Sequence, residues 1–221
     1  MSKVFVGVGH GGSDPGAVAN NTKEKDLNLS IALACKDMLE KHGVLVKMSR
    51  TKDENDPIGE EVKECNAYAP DLAVDIHNNA GGGDGGEVFY HHGGGKGKTL
   101  AENILAEMVK VGQNSRGIKT RVNSQGKDYY AFIRNTSCPA VIVECAFVDN
   151  ASDLKILASE SQRKTMGEAI AKGILKTLGV EIQSESGHWK VQVGAYLYRE
   201  NAEAMHRKLK AVGFDAFIVK E

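Results

Sequence analysis

The chain has 221 residues, 41% hydrophobic and 26% charged, enough apolar material for one well-buried domain plus a small second unit and too much for a disordered or fibrous chain. A formal net charge of −1 and a pI near 6.7 give no basic field for nucleic acid or an anionic membrane surface. No window approaches the ~20 consecutive apolar residues of a membrane span, and the N-terminal MSKVFVGVGHGG lacks the apolar length and cleavage site of a secretory leader, so the chain is expected to be made in the cytoplasm without a signal peptide.

In chain order, Val4 to Val8 reads as a strand and Asp26 to His42 as an amphipathic helix ended by Gly43. Val44 to Met48 follows as a strand, Pro57 to Tyr68 as a helix, Leu72 to Ile76 as a strand, and Glu87 to Tyr90 as another after a glycine-rich turn. Lys98 to Val111 reads as a helix, Tyr129 to Ile133 and Ala140 to Val143 as the last strands, and Ser152 to Leu157 and Gln162 to Leu178 as closing helices, the second capped by Gly179. Such alternation predicts an α/β domain over residues 1–180: a twisted, mostly parallel sheet with helices on both faces. The polar stretch 181–187 reads as a linker. Residues 188–221 then form a small βαβ unit, with strands at Trp189 to Tyr196 and Phe214 to Val219 around a helix at Arg199 to Val212, too small to bury a core alone.

Ligands of open α/β sheets gather outside the carboxyl ends of the strands. His10, His77 and Glu144 follow apolar strand runs, and Glu24 lies two residues before a helix. His10, Glu24 and His77 read as metal ligands, three donors that leave a position for water, with Glu144 as a nearby carboxylate to move protons. Each residue also has a plainer reading. His10 lies in a glycine-rich turn, GHGGSDPGAV, that could cradle an anion. Glu24 could simply complement a helix macrodipole, and Glu144 could pair with Arg134 inside the sheet. His91 and His92 form a rival pair, but adjacent residues at a strand end point to opposite faces, so they are read as surface residues. Cys35, Cys65, Cys138 and Cys145 show no CxxC spacing and read as buried free thiols.

The segments GHGGSDPGA, EKDLNLSIA, IHNNA and AFIRNTSCPAVIVECAFVDN, in that order, resemble the zinc-dependent N-acetylmuramoyl-L-alanine amidases of the type 3 class, found in autolysins, sporulation hydrolases and phage endolysins. The resemblance runs from about residue 3 to residue 178. It implies one Zn2+ held by His10, Glu24 and His77, with Glu144 as the acid/base, cutting the amide between N-acetylmuramic acid and L-alanine of the stem peptide. Asp75 departs from the small or hydroxyl residue usual there and could tune His77. Residues 81–86 and 112–128 are expected to flank the groove, with Asn79, Arg134 and Asn135 as substrate contacts. Two rivals remain: a zinc peptidase cutting within the stem peptide, and a non-catalytic wall-binding protein.

WKVQVGAY, NAE and GFDAFIV resemble the first half of a SPOR-type peptidoglycan-binding domain, in which a full domain has two such halves. Two chains each giving one half would complete such a domain as a homodimer through residues 188–221; the competing reading is a truncated domain that binds nothing and packs weakly on the catalytic core. The expected partner is bacterial peptidoglycan, reached after holin-mediated release or cell lysis, with no nucleic acid or membrane partner.

Overall fold

The computed structural model describes residues 1–182 and 193–220. They fall into two compact units, Met1–Gln183 and Ser184–Glu221. The first runs β1 (Lys3–Val8), β2 (Val18–Ala19), β3 (Thr22–Lys23), α1 (Glu24–Lys41), β4 (Leu45–Met48), α2 (Ile58–Tyr68), β5 (Leu72–Asn79), β6 (Gly86–Tyr90), α3 (Gly95–Lys110), β7 (Ser115–Lys119), α4 (Ala131–Asn135), β8 (Ala140–Phe147), α5 (Ala151–Leu157) and α6 (Glu160–Leu178).

Six strands form the main sheet in the order β4-β1-β5-β8-β6-β7. Every pairing is parallel except β6 with β8, so the expected mostly parallel α/β sheet is what the chain builds. Side-chain alternation sorts the strands onto two faces. Val4, Val6, Leu72, Val74, Ile76, Val141 and Val143 pack into the larger core, shared with buried residues of α1, α3 and α6 such as Ile31, Leu100 and Ile170. Phe5, Ala73, Phe89 and Ile142 pack into the smaller core with Cys65 of α2 and Phe132 of α4.

The helix ends carry the expected signals. Pro57 occupies the N-cap of α2, and the Asn150 side chain caps α5 by accepting from the N–H groups of Ser152 and Asp153. Ser159 and Gln162 make a capping box on α6, which ends at Gly179 in the left-handed region.

Three expectations change. Residues 131–135 are the short helix α4 rather than a strand, because Phe132 and Ile133, adjacent in sequence, are both buried in the smaller core, which a strand's alternation forbids. Residues 115–119 of the expected loop 112–128 form β7, an exposed edge strand. His77 and Glu144 lie within β5 and β8 rather than after them.

The second unit contains α7 (Arg199–Ala211). Phe214 to Val219 is not a strand: a strand needs a hydrogen-bonded neighbour, and none pairs with it among the described residues. Of the strand expected over Trp189 to Tyr196, residues 189–192 lie outside the described residues, and residues 193–196 are not in a strand. No helix among the described residues is long and apolar enough to cross a membrane.

Helix α6 meets α3 backbone to backbone at Gly173, where an added Cβ would stand 2.5 Å from Ile104 Cα. A Gly173→Ala variant gains about 1 kcal/mol of helix propensity but overpacks a rigid contact, at a cost of about 1–3 kcal/mol. Urea unfolding is expected to show a net loss of stability.

Candidate active site

The alternation that builds the two cores also places the polar residues. On β5, Asp75 and His77 continue the face begun by Ala73; on β8, Glu144 continues the face of Ala140 and Ile142. The register pairs His77 with Glu144 and Glu144 with Glu87 of β6. Three polar residues thus lie side by side toward the carboxyl ends of the two central parallel strands, where sheets of this kind hold ligands.

His10 arrives from the end of β1. The Gly9 N–H donates to Ile76 O at 3.0 Å, extending the ladder, and His10 then turns into the left-handed region at φ 62°, an uncommon conformation for a non-glycine residue. Arg50 holds the turn from behind. Buried to 2% exposure, it donates from Nε to Val8 O, from Nη1 to Lys52 O and from Nη2 to Lys25 O and Gly9 O. The hairpin β2–β3, made possible by Asn20 and Asn21 at positive φ, delivers the chain to the start of α1, where Glu24 is the first residue. Gly16 is required there, since a Cβ would lie 2.6 Å from both Glu24 Oε2 and the His10 ring, at φ +64°.

Glu24 is the common partner. Its Oε2 lies 3.2 Å from His10 Nε2 and its Oε1 lies 3.1 Å from His77 Nδ1. It also accepts from the N–H groups of Ala17 and Asn78 and from the Asn28 side chain. Burial works against its charge, but the bonds from His10 and His77 overcome this and hold the carboxyl far below the usual range. The other ring nitrogens face carboxylates: His10 Nδ1 lies 2.8 Å from Asp14 and His77 Nε2 3.1 Å from Asp75. The His10 pKa is raised, chiefly by its bond to Glu24. Burial would lower that of His77, but Asp75, Glu24 and Glu144 together raise it well above the ordinary value.

This donor set fits a metal. One atom from each of His10, Glu24 and His77 lies within 4.8 Å of the other two. The two histidines approach different oxygens of Glu24, His10 at 3.2 Å and His77 at 3.1 Å. Each imidazole has a carboxylate on its far side, the usual outer partner of a metal-bound histidine.

Glu144 is outside that trio. Its Oε2 is buried without a hydrogen-bond partner, and burial pushes its pKa up to about 7. The alternative ion pair with Arg134 does not form, since Arg134 donates to the carbonyls of Asp128 and Tyr129. The structure therefore separates the expected substrate contacts. Asn79 lies near Glu144, donating to Glu87 Oε1 at 3.2 Å. Arg134 and Asn135, on α4 before β8 begins, belong to the opposite edge, where Asn135 O accepts from Asn66.

Several neighbours escape sequence reasoning. Glu87, 4% exposed, is bound by Arg116 at 2.7 Å and by Lys119; both cations come from β7, whose polar SRGIK gave no strand signal. Asp14 was visible only as part of a glycine-rich turn. Glu61 approaches Asp75 from α2, with nothing in the helical pattern to mark it.

An α/β sheet whose carboxyl edge gathers two histidines, a shared carboxylate and a separate buried acid is a hydrolase scaffold. The N-acetylmuramoyl-L-alanine amidase family matches residues 4–176, and a SPOR domain matches residues 168–221. The sporulation-specific N-acetylmuramoyl-L-alanine amidase of Bacillus subtilis strain 168 is 34% identical over 99% of this chain and 85% of its own length. Among solved structures, Cwp6 from Clostridium difficile is 40% identical with a TM-score of 0.79, covering 80% of this chain and 29% of that one. The catalytic domain of an N-acetylmuramoyl-L-alanine amidase from Paenibacillus polymyxa is 28% identical with a TM-score of 0.74, covering 82% of this chain and 100% of that one. The chain belongs to the N-acetylmuramoyl-L-alanine amidase family, and it is a peptidoglycan hydrolase.

Arg50 supports the His10 turn through geometry that an ammonium cannot copy. Arg50→Lys is expected to lower stability by about 2–3 kcal/mol, since bonds from a buried charged donor are lost, and a guanidinium chloride titration measures it.

Proposed function

We propose that the chain cuts the amide between the lactyl group of N-acetylmuramic acid and L-alanine, with Zn2+ held by His10, Glu24 and His77 and with Glu144 as the acid/base. A zinc ion held by these three supplies Lewis-acid polarisation of the scissile carbonyl and lowers the pKa of a water to about 7. The chain's own residues do the rest. Asp14 and Asp75 accept from the far nitrogens of His10 and His77, which aims the lone pair of each near nitrogen inward. Glu144, in register with His77, takes a proton from the attacking water as the new C–O bond forms. It returns the proton to the alanine nitrogen as the C–N bond breaks, freeing the L-alanine amine and leaving a carboxylate on the lactyl group.

The observation that carries this reading is the Glu144 carboxyl, buried beside the donor trio, with Oε2 unpartnered and a pKa near 7. A group that shuttles one proton works best with its pKa near the working pH. Asn79, whose neighbours are Glu87 and the Glu144 strand, is the substrate contact retained from the sequence.

In the second unit Leu197 is 91% exposed and Phe217 72%, and α7 buries none of its residues. This exposure supports a homodimer in which each chain supplies half of a SPOR-like module that binds peptidoglycan glycan. The enzyme then acts at the bacterial wall after cell lysis or holin-mediated release.

Glu144→Gln is expected to leave zinc content unchanged while lowering the rate of wall digestion by about 10²–10⁴. Wild-type digests should yield new N-terminal L-alanine on intact glycan by mass spectrometry; new ends within the stem peptide would make the chain a peptidase instead. Light scattering should report twice the chain mass for the full protein and a monomer for residues 1–180; two monomers would refute the dimer.

A further inference from the structure

The second group of metal-type donors lies at the other end of the sheet. His91 Nε2 and His92 Nδ1 stand 3.0 and 2.8 Å from the same oxygen, Oδ2 of Asp128. One ligand atom from each of these three residues lies within 4.8 Å of the other two. The expectation that adjacent histidines diverge fails here because β6 ends at Tyr90. Beyond it the backbone enters a turn, closed by the Gly94 N–H on His91 O, and strand alternation no longer applies. The two rings stack instead, with centroids 4.7 Å apart and planes at 24°.

We propose that His91, His92 and Asp128 form a second divalent-metal site, suited to zinc or a similar borderline ion, which ties the β6–α3 turn to the end of the segment after β7. Two imidazoles and one carboxylate select a transition ion over calcium or magnesium, which prefer all-oxygen sets. The carboxylate is already fixed. Asp128 is 3% exposed, its Oδ1 accepts the His92 N–H at 2.9 Å, and the Arg134 guanidinium binds its carbonyl at 2.7 Å. The imidazoles are reachable from solvent, with side chains 51% and 43% exposed, so an ion and a water as fourth ligand can approach from that side.

One contact must give way. The Gly93 N–H donates to His91 Nδ1 at 3.0 Å, so the proton of a neutral ring sits on Nε2, facing Asp128. For an ion to bind at Nε2 the ring changes tautomer, its one N–H proton passing from Nε2 to Nδ1, and the Gly93 contact opens. The run Gly93-Gly94-Gly95, where the last two have positive φ and open space at Cβ, allows that adjustment.

The site is not part of the amidase centre. Glu87 on antiparallel β6 pairs with Glu144, and His91 lies four residues further along, about 13 Å away at ~3.3 Å per residue. The ion therefore has a structural or regulatory part, holding residues 120–128, whose other ties include the Val122–Asp128 bridge and the Tyr129 N–H on Arg121 O.

Zinc per chain, measured by inductively coupled plasma mass spectrometry after dialysis against micromolar zinc, tests the site. The proposal expects two ions in the wild type, one in His10→Ala, one in His91→Ala/His92→Ala, and none when all three substitutions are combined. In the His10→Ala background, added zinc should also slow proteolytic cleavage within residues 120–128, and Asp128→Asn should abolish that protection. A count unchanged by His91→Ala/His92→Ala, with no zinc-dependent protection, overturns the second site whatever His10→Ala does. A count lowered only by His91→Ala/His92→Ala supports this site and refutes zinc at His10 instead. Far-UV circular dichroism confirms that the variants fold; the two histidines are exposed, so their removal leaves the core untouched.

Discussion

The catalytic unit is organised around one buried carboxylate. Taking the Glu24 side chain out of water costs several kcal/mol unless its oxygens find donors, and three separate segments meet to provide them. The loop after β1 brings His10 and the Ala17 N–H; α1 brings Asn28; the end of β5 brings His77 and the Asn78 N–H. None of these pieces is fixed by its own propensity, since a glycine-rich loop, a helix start and a strand end are each conformationally loose. Their convergence follows from satisfying one charge. The positive φ of His10 and the close approach at Gly16 are local strains that this shared requirement sustains.

Strand direction decides what the site contains. Because β5 and β8 are parallel, residues on the same face near their carboxyl ends meet, which brings His77 against Glu144. Because β6 runs the other way, its first residues lie at that edge and its last at the opposite one. Glu87 therefore joins Glu144, while His91 and His92 are carried away from it. One antiparallel pairing in an otherwise parallel sheet thus separates two histidine–carboxylate groups that a wholly parallel sheet would have crowded onto one edge.

This explains what could and could not be seen in the sequence. The core strands were legible because VFVGV, LAVDI and AVIV are predominantly apolar runs, broken in the second only by Asp75, and the amidase resemblance marked His10, Glu24, His77 and Glu144 through four ordered segments. The structure unites the first three and sets the fourth beside His77. Partners that reach the site through tertiary folding were hidden: Arg116 and Lys119 come from an edge strand with one apolar residue, Ile118, and a central glycine. Residues 129–133 carry a strand-like apolar pattern, but the chain forms the short helix α4 before β8, which turns the Arg134 guanidinium toward Asp128. His91 and His92 are surface residues as expected, but their rings stack rather than diverge because strand alternation does not extend into the turn after β6. In each case the periodicity was local, and the error arose where tertiary contacts outweighed it.

The acids behind His77 show where stability yields to the site. Asp56, Glu61 and Asp75 each bury an oxygen with no hydrogen-bond partner, an arrangement that a domain selected only for stability would not keep. Burial, reinforced by Asp75 and Asp56, pushes the Glu61 pKa well above the usual carboxylate range, which shifts that group toward its neutral form and limits the repulsion. Asp75 retains its 3.1 Å contact with His77 Nε2. The imidazole is thereby held between a carboxylate behind and Glu24 in front, both favouring positive charge at the ring. A divalent ion on the front side satisfies the same field that would otherwise draw a proton. The buried acids thus weaken the fold locally while strengthening the negative field at His77 and Glu24.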